Sequence, residues 1–346
     1  MPGFDVASEK RATQLAFLKR QLFVTPPAVT RANANVEGKT AIVTGSNSGI
    51  GLEVARQLLD LGIGRLILAV RSETKGEDVK EQLLAGTSSH GQAIIEVWPL
   101  DLSSYESVTS FADRTKILDR LDIFINNAAL TKLHFEINKN THHEETVQVN
   151  YLSHVLLVIL LLPVLKDKNA PEHPGRIVMV SSDVASWPKF KEQDSAPLLA
   201  ALDDEANFEI LERYCTSKLL GQLFLSELAK RIPPTVAVVN APNPGLCISG
   251  LGREADGTLG GFVFDVIKRL IGRPASVGAR TLVDAAVRHG PESHGQYLED
   301  CKIQPLAPFV YQPKGQKVAE RLWKETLEEL AFAKVADIIH GLSDKC

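Results

Sequence analysis

Cysteine is scarce in this chain: there are four in 346 residues, at Cys215, Cys247, Cys301 and Cys346, with no C-x-x-C pair and no Cys/His ligand spacing. That argues against a disulfide framework and fits a reducing compartment better. The adjacent His142 and His143 point different ways on a helix, so no metal site is expected. Positive charge is not in excess either: the net charge is −4, which leaves no global basic field for a nucleic-acid partner. Long apolar runs are missing. The longest, Val155 to Leu165, is interrupted by Pro163 and falls short of the roughly 20 residues that span a bilayer, so it reads as a buried helix and no transmembrane segment is expected. The polar N-terminal residues lack the apolar core of a signal peptide, and Ser343-Asp344-Lys345-Cys346 lacks prenylation spacing. A cytoplasmic location is the expectation.

What is present is a large apolar fraction, 44%, enough for a sizeable core. From Lys39 onward the chain repeats strand, glycine turn and helix. Strands are predicted at Thr40 to Val43, Leu66 to Val70, Ile94 to Val97, Ile123 to Ile125, Ile177 to Val180 and Val236 to Val239, with helices at Ile50 to Leu61 and Glu77 to Leu84 between them. Such alternation predicts an α/β fold: a Rossmann-type doubly wound parallel sheet covered on both faces. No repeat or low-complexity linker divides it, so one domain over 37–330 is expected, with an N-terminal helical extension (1–36) and a C-terminal tail (331–346). The amphipathic arm from about Ala7 to Phe23, stopped by Pro26-Pro27, could cover a site, join a dimer, lie on a membrane or simply pack on the surface. A long C-terminal helix is predicted from Val318 to about Ile339. Two stretches, 183–213 and 246–274, are too long for ordinary connections and follow strand ends where ligands bind in such sheets. They are read as substrate-facing insertions, with surface elaboration as the alternative.

After the first strand comes Thr44-Gly45-Ser46-Asn47-Ser48-Gly49-Ile50-Gly51, leading directly into a helix. The glycines allow close backbone approach, and the helix start offers unpaired N–H groups to a phosphate. The strand–turn–helix context is what gives this triplet its meaning. The second strand ends at Arg71. An acidic side chain near here would bond an adenosine 2′-hydroxyl, whereas a guanidinium suits a 2′-phosphate, which points to NADP(H) unless Arg71 is merely a solvated strand end. Lys75 lies one turn on. Asp101-Leu102 and Asn126-Asn127-Ala128-Ala129 also follow strands, where small residues let a ring or ribose lie against the backbone; singly they are ordinary turns.

Tyr214 and Lys218 stand four positions apart at the start of an apolar-faced helix, and so share one face. A free phenol titrates near pH 10, and a neighbouring ammonium would bring it closer to neutrality. That spacing alone is close to a chance event. The strand Ile177 to Val180 ends in Ser181-Ser182, where a hydroxyl could polarise a carbonyl, and Asn150 sits at the front of the apolar helix as a buried amide or a relay element.

The ordered set Thr44 to Gly51, Asn126-Asn127-Ala128-Ala129, Asn150, Ser181-Ser182, Tyr214 with Lys218, and Pro244-Gly245 resembles the short-chain dehydrogenase/reductase family over about Glu37 to Leu330. Leu66 to Arg71, Gly278 to Leu282, Gly295-Gln296-Tyr297 and Arg321-Leu322-Trp323 resemble its retinol-dehydrogenase-like and WW-domain-oxidoreductase-like branch. The resemblance implies that Ser182 binds the carbonyl oxygen, Tyr214 exchanges its proton, Lys218 holds the nicotinamide ribose and depresses the Tyr214 pKa, and Asn150 fixes a helix bend and a linking water. It implies cofactor contacts from Gly45 to Gly51, Arg71, Asp101, Leu102, Asn127, Ala128, Ala129, Tyr214, Lys218, Pro244, Gly245 and Ser249, the last standing where a threonine is common. The segment between Ser182 and Tyr214 is longer than in most members, and the anchor of membrane-bound retinol dehydrogenases is lacking, which weakens transfer of a retinoid substrate.

The function these features imply is NADP(H)-dependent hydride transfer to or from a carbonyl/alcohol of a hydrophobic small molecule, with a soluble member of fungal secondary metabolism as one candidate. A non-redox isomerase, dehydratase or cyclisation catalyst, and a nucleotide-sensing scaffold, are the alternatives. A homodimer is left open.

Overall fold

A computed structural model describes residues 6–85, 93–255 and 257–343; Cys346 lies outside them. Ten strands follow in chain order: β1 (Thr40–Thr44), β2 (Arg65–Val70), β3 (Ile94–Pro99), β4 (Ile123–Asn126), β5 (Gly175–Met179), β6 (Ala237–Asn243), β7 (Cys247–Ile248), β8 (Arg273–Pro274), β9 (Tyr297–Glu299) and β10 (Lys302–Gln304). Eight form one sheet in the order β10-β9-β6-β5-β4-β1-β2-β3, parallel throughout except for the β9–β10 hairpin at one edge. The expected parallel Rossmann-type sheet is therefore present. Its strand order reverses between β1 and β4, and the crevice beyond their carboxyl ends is where such sheets bind ligands.

The side-chain alternation of the strands feeds two cores. Ile42, Ile67 and Phe124 face the helices Tyr105–Thr115, Ser153–Lys168 and Ile210–Leu228, while Ala41, Val43, Leu66 and Leu68 face Gly49–Leu61 and Ala275–Val287. Among the described residues one helical stretch, Glu145–Lys168, is long and apolar enough to cross a membrane, and most of its side chains lie buried in the core.

Three expectations change in detail. The N-terminal arm is two helices, Ser8–Arg11 and Gln14–Phe23, broken at Thr13, whose hydroxyl caps the second by accepting from Ala16 N. The long C-terminal helix ends at Glu329: Lys334 takes a left-handed conformation, and a separate helix, Val335–Leu342, returns to bury Val335, Ile339 and Leu342. Much of the expected tail thus belongs to the core. The 183–213 insertion is a chain of short helical turns that buries Leu198, Leu199 and Leu202 and is held by Glu325, whose carboxylate accepts from Leu198 N and Leu199 N at 2.9 Å each.

Candidate active site

The glycine turn lies at the carboxyl end of β1, with the helix Gly49–Leu61 starting from it. Its tightness explains its residues. A Cβ on Gly51 would lie 2.4 Å from the Gly45 carbonyl oxygen, and Gly45 itself has φ +64° and packs against Ala128. Ser46 is buried, its hydroxyl without a hydrogen-bond partner among the described residues, while Asn47, Ser48 and Ile50 are half-buried around it. An orphaned buried hydroxyl beside a helix N-terminus is a donor set that fits a phosphate. Ser249 reaches this turn from the far side: a Cβ on Gly49 would sit 3.2 Å from the Ser249 Cβ.

Arg71 stands exposed just past β2, with no ion pair among the described residues, and Lys75 is exposed one turn on. Asp101 uses one carboxylate oxygen to hold its own turn, accepting from the Ser103 N–H and hydroxyl at 2.9 and 2.7 Å. Leu102 is buried and its carbonyl accepts from Ser153. The Asn127 amide donates to the Thr44 carbonyl at 2.9 Å, and the Asn127 and Ala128 N–H groups both donate to the Thr44 hydroxyl. This segment therefore ties β4 to β1 beneath the crevice, with Ala128 and Ala129 half-buried beside it. Thr44 opens the glycine motif in the sequence, but its clamping of the two strands was not legible there.

The proton-transfer candidates meet where β5 ends. Of the two serines, Ser181 is buried and its hydroxyl accepts from the Gln222 amide at 3.0 Å, whereas Ser182 is half-buried at the start of a short helical turn, Asp183–Ser186. This separates two hydroxyls that the sequence left equivalent. Tyr214 is half-buried on the helix Ile210–Leu228, and the Lys218 ammonium lies 5.9 Å from its ring centroid while donating to the Val180 carbonyl at 3.1 Å. That bond pins the helix to the end of β5.

Asn150 sits in a single π turn, Gln148–Leu152, that bends the apolar helix. Its amide brackets the Leu130 backbone, accepting from N and donating to O at 2.9 Å each, and donates to Ser217, whose hydroxyl donates to the Tyr214 carbonyl. Asn150 is thereby linked to the Tyr214 backbone.

The electrostatics differ from the simple expectation. Burial pushes the Lys218 ammonium down to about 8, and burial also pushes the Tyr214 phenol above its usual range. Desolvation outweighs any lowering of the phenol by Lys218 in the protein alone. His154, a residue the sequence did not flag, is buried nearby; burial, then the charge of Lys218, push it to about 3, so it stays neutral.

Beyond β6, Gly245 has φ +76° and its N–H donates to the Asn243 side-chain oxygen, with Pro244 buried before it. The 246–274 insertion is closed at its base by the β7–β8 pair, and its helix Leu259–Ile271 leaves Phe262, Val263 and Leu270 exposed. His143 is a structural ion-pair residue, 2.8 Å from Asp203 and 3.1 Å from Glu329, and these partners raise it to about 9 despite burial.

The short chain dehydrogenase profile matches residues 39–192. Short-chain dehydrogenase fogG of Aspergillus ruber is 50% identical over 345 residues, covering 98% of this chain and 99% of that one. Short chain dehydrogenase/reductase mfmJ of Annulohypoxylon moriforme is 43% identical, covering 93% of each. Among solved structures, a putative uncharacterized protein from Mycobacterium Paratuberculosis superposes with TM-score 0.62 at 25% identity, over 88% of this chain and 98% of that one. The Pseudomonas aeruginosa RhlG/NADP active-site complex does so with TM-score 0.57 at 24% identity, over 77% and 96%. Sheet order, glycine turn and full-length identity agree, and the chain belongs to the short-chain dehydrogenase/reductase family of oxidoreductases.

Proposed function

We propose that the protein is an NADP(H)-dependent reductase of a ketone or aldehyde on a hydrophobic small molecule, working reversibly on the corresponding alcohol. The observation that carries this reading is the placing of a half-buried Ser182, a half-buried Tyr214 and a buried Lys218 at the carboxyl end of β5, on the same sheet edge as the glycine turn. A nicotinamide held there would supply the hydride. Ser182 donates a hydrogen bond to the substrate oxygen, and Tyr214 delivers a proton to that oxygen as the carbonyl carbon is reduced. Lys218 keeps a cationic group beneath the phenol and refills its proton. Asn150, at the π turn, holds the backbone on which this relay rests.

For the cofactor, the orphaned Ser46 hydroxyl, Asn47, Ser48 and the start of the helix Gly49–Leu61 would hold the pyrophosphate, and the free guanidinium of Arg71 would hold a 2′-phosphate. Pro244, Gly245 and Ser249 would border the nicotinamide. Asp101 and Leu102 would border the adenine, and Ala128 and Ala129 the ribose; Asn127 supports them through Thr44. The exposed apolar side chains of the helix Leu259–Ile271 support a hydrophobic substrate, and a polyketide or terpenoid ketone of fungal secondary metabolism is the candidate, in keeping with the fungal origin of the short-chain dehydrogenases it resembles. The membrane-length helix found among the described residues is buried in the core, which supports a water-soluble enzyme.

The test is turnover of NADPH with a panel of ketones and aldehydes, followed by loss of the reduced-nicotinamide absorbance. Tyr214→Phe should lower kcat about 10²- to 10⁴-fold with cofactor affinity retained. Wild-type turnover by Tyr214→Phe would refute the role, and product formation without net nicotinamide consumption would favour a non-redox reaction.

A further inference from the structure

The N-terminal arm does more than cover apolar surface. Arg20 donates to Asp183 Oδ1 at 2.6 Å and lies 2.9 Å from Glu299 Oε2, and Arg11 pairs with the same Glu299. Asp183 follows Ser182 directly. The Asn243 amide donates to both carboxylates, at 2.6 Å to Asp183 and 3.1 Å to Glu299, while its oxygen accepts from Gly245 N. Two acidic groups thus share one amide at the edge of the site, and the cations that neutralise them come from the arm. The carboxylate side chains are only 10% and 3% exposed, so each needs its partner.

The next residue acts on the opposite wall. Gln21 is buried; its amide donates to the carbonyls of Leu246 and Ile271 at 2.8 Å each, and its oxygen accepts from Leu246 N at 3.1 Å. It fastens both ends of the 246–271 segment. A Cβ on Gly245 would lie 2.8 Å from the Gln21 side-chain oxygen, so this glycine leaves the room that Gln21 occupies. Trp187 completes the join, donating to the Ala12 carbonyl at 2.9 Å and meeting Phe17 edge-on.

We infer that the arm is a positioning element of the active site: Arg20, acting through Asp183 and Glu299, holds the turn that carries Ser182, and Gln21 holds the Gly245–Ile271 wall in register with it. Neither residue touches the reacting atoms. The catalytic consequence rests on the reductase reading above, whereas the mechanical claim does not.

The experiment uses the full chain and compares Arg20→Met, Arg20→Met/Asp183→Asn and Gln21→Ala with wild type, by turnover and by hydrogen exchange read by mass spectrometry. Arg20→Met leaves a buried carboxylate unpaired, so kcat should fall about 10- to 100-fold while the KM for NADPH stays within about threefold. The double variant should recover to within about fivefold of wild type because it strands no charge. Exchange over 183–190 should quicken about tenfold in Arg20→Met, and over 244–251 in Gln21→Ala, with β2 unchanged in both. If Arg20→Met does not fold, the double variant and Gln21→Ala decide on the same readouts.

Unchanged exchange in both segments overturns the inference, as does a loss of activity in Arg20→Met that the double variant does not recover. A wild-type protein inactive toward every carbonyl overturns the reductase reading instead, and the exchange comparison then still decides what the arm does.

Discussion

Replacing Lys218 with methionine should make the protein more stable and inactive at once. The side chain is 6% exposed, and among the described residues its ammonium has one hydrogen-bond acceptor, the Val180 carbonyl at 3.1 Å. Among the described residues no carboxylate pairs with it, and burial pushes its pKa from 10.5 down to about 8. A shift of that size corresponds to an upper limit of about 3 kcal/mol of destabilisation by the charged form. Methionine keeps the aliphatic stem and removes the charge, so a gain of about 1–3 kcal/mol is expected at pH 7. For a chain of this size that raises Tm by about 1–4 °C.

The sign of the pH dependence is fixed. Below pH 8 the lysine is charged in both states and the folded state carries the full cost. Between about 8 and 10.5 the folded protein releases its proton before the unfolded chain does, and wild-type stability rises relative to the variant. Thermal melts of both proteins without added cofactor, at intervals from pH 6.5 to 10, test this alongside NADPH turnover. A Lys218→Met protein that melts below wild type, or a gap that does not narrow above pH 8, would refute the claim that an uncompensated buried charge is held here for function.

Other outcomes follow from single contacts. Arg71→Ala should weaken NADPH about 10- to 100-fold and NADH less than about threefold by titration of nicotinamide fluorescence, and an equal loss for both would remove the 2′-phosphate role. Gly51→Ala places a methyl 2.4 Å from the Gly45 oxygen, so the glycine turn must open; a loss of about 1–3 kcal/mol in denaturant melts is expected, with cofactor affinity lost as well. His143 is raised from 6.5 to about 9 by burial-resisting contacts to Asp203 and Glu329. Its contribution, about 1–2 kcal/mol after allowing for the partly exposed Glu329, is complete below about pH 6.5 and lost as pH rises through 9, and His143→Gln should flatten that slope.

Much of the architecture was legible because it rests on local rules. Strands that alternate with helices announce a parallel sheet, and the turn Gly45 to Gly51 announces what lies at the end of the first strand, since only glycine tolerates that backbone approach. The helix beginning near Ile210 placed Tyr214 and Lys218 on one face by periodicity alone. The break of the C-terminal helix at Leu330 was not legible, because neither glycine nor proline marks it: Lys334 turns left-handed so that Val335 and Ile339 can reach the core.

What the sequence by itself determined is the family, the alternation of strands and helices that makes the sheet parallel, and the candidate chemistry, all of which depend on residue type at fixed spacing. The resemblance indicated Ser182 over Ser181, but the physical reason needed the fold: Ser181 is buried with its hydroxyl accepting from Gln222. The balance at Tyr214 and Lys218 also needed it, since desolvation is a property of what surrounds a group and not of its neighbours in the chain. The role of the arm lay furthest from the sequence. Arg20 and Asp183 are 163 positions apart, and Gln21 and Leu246 are 225; contacts of that range follow no periodicity and exist only once the chain has closed on itself.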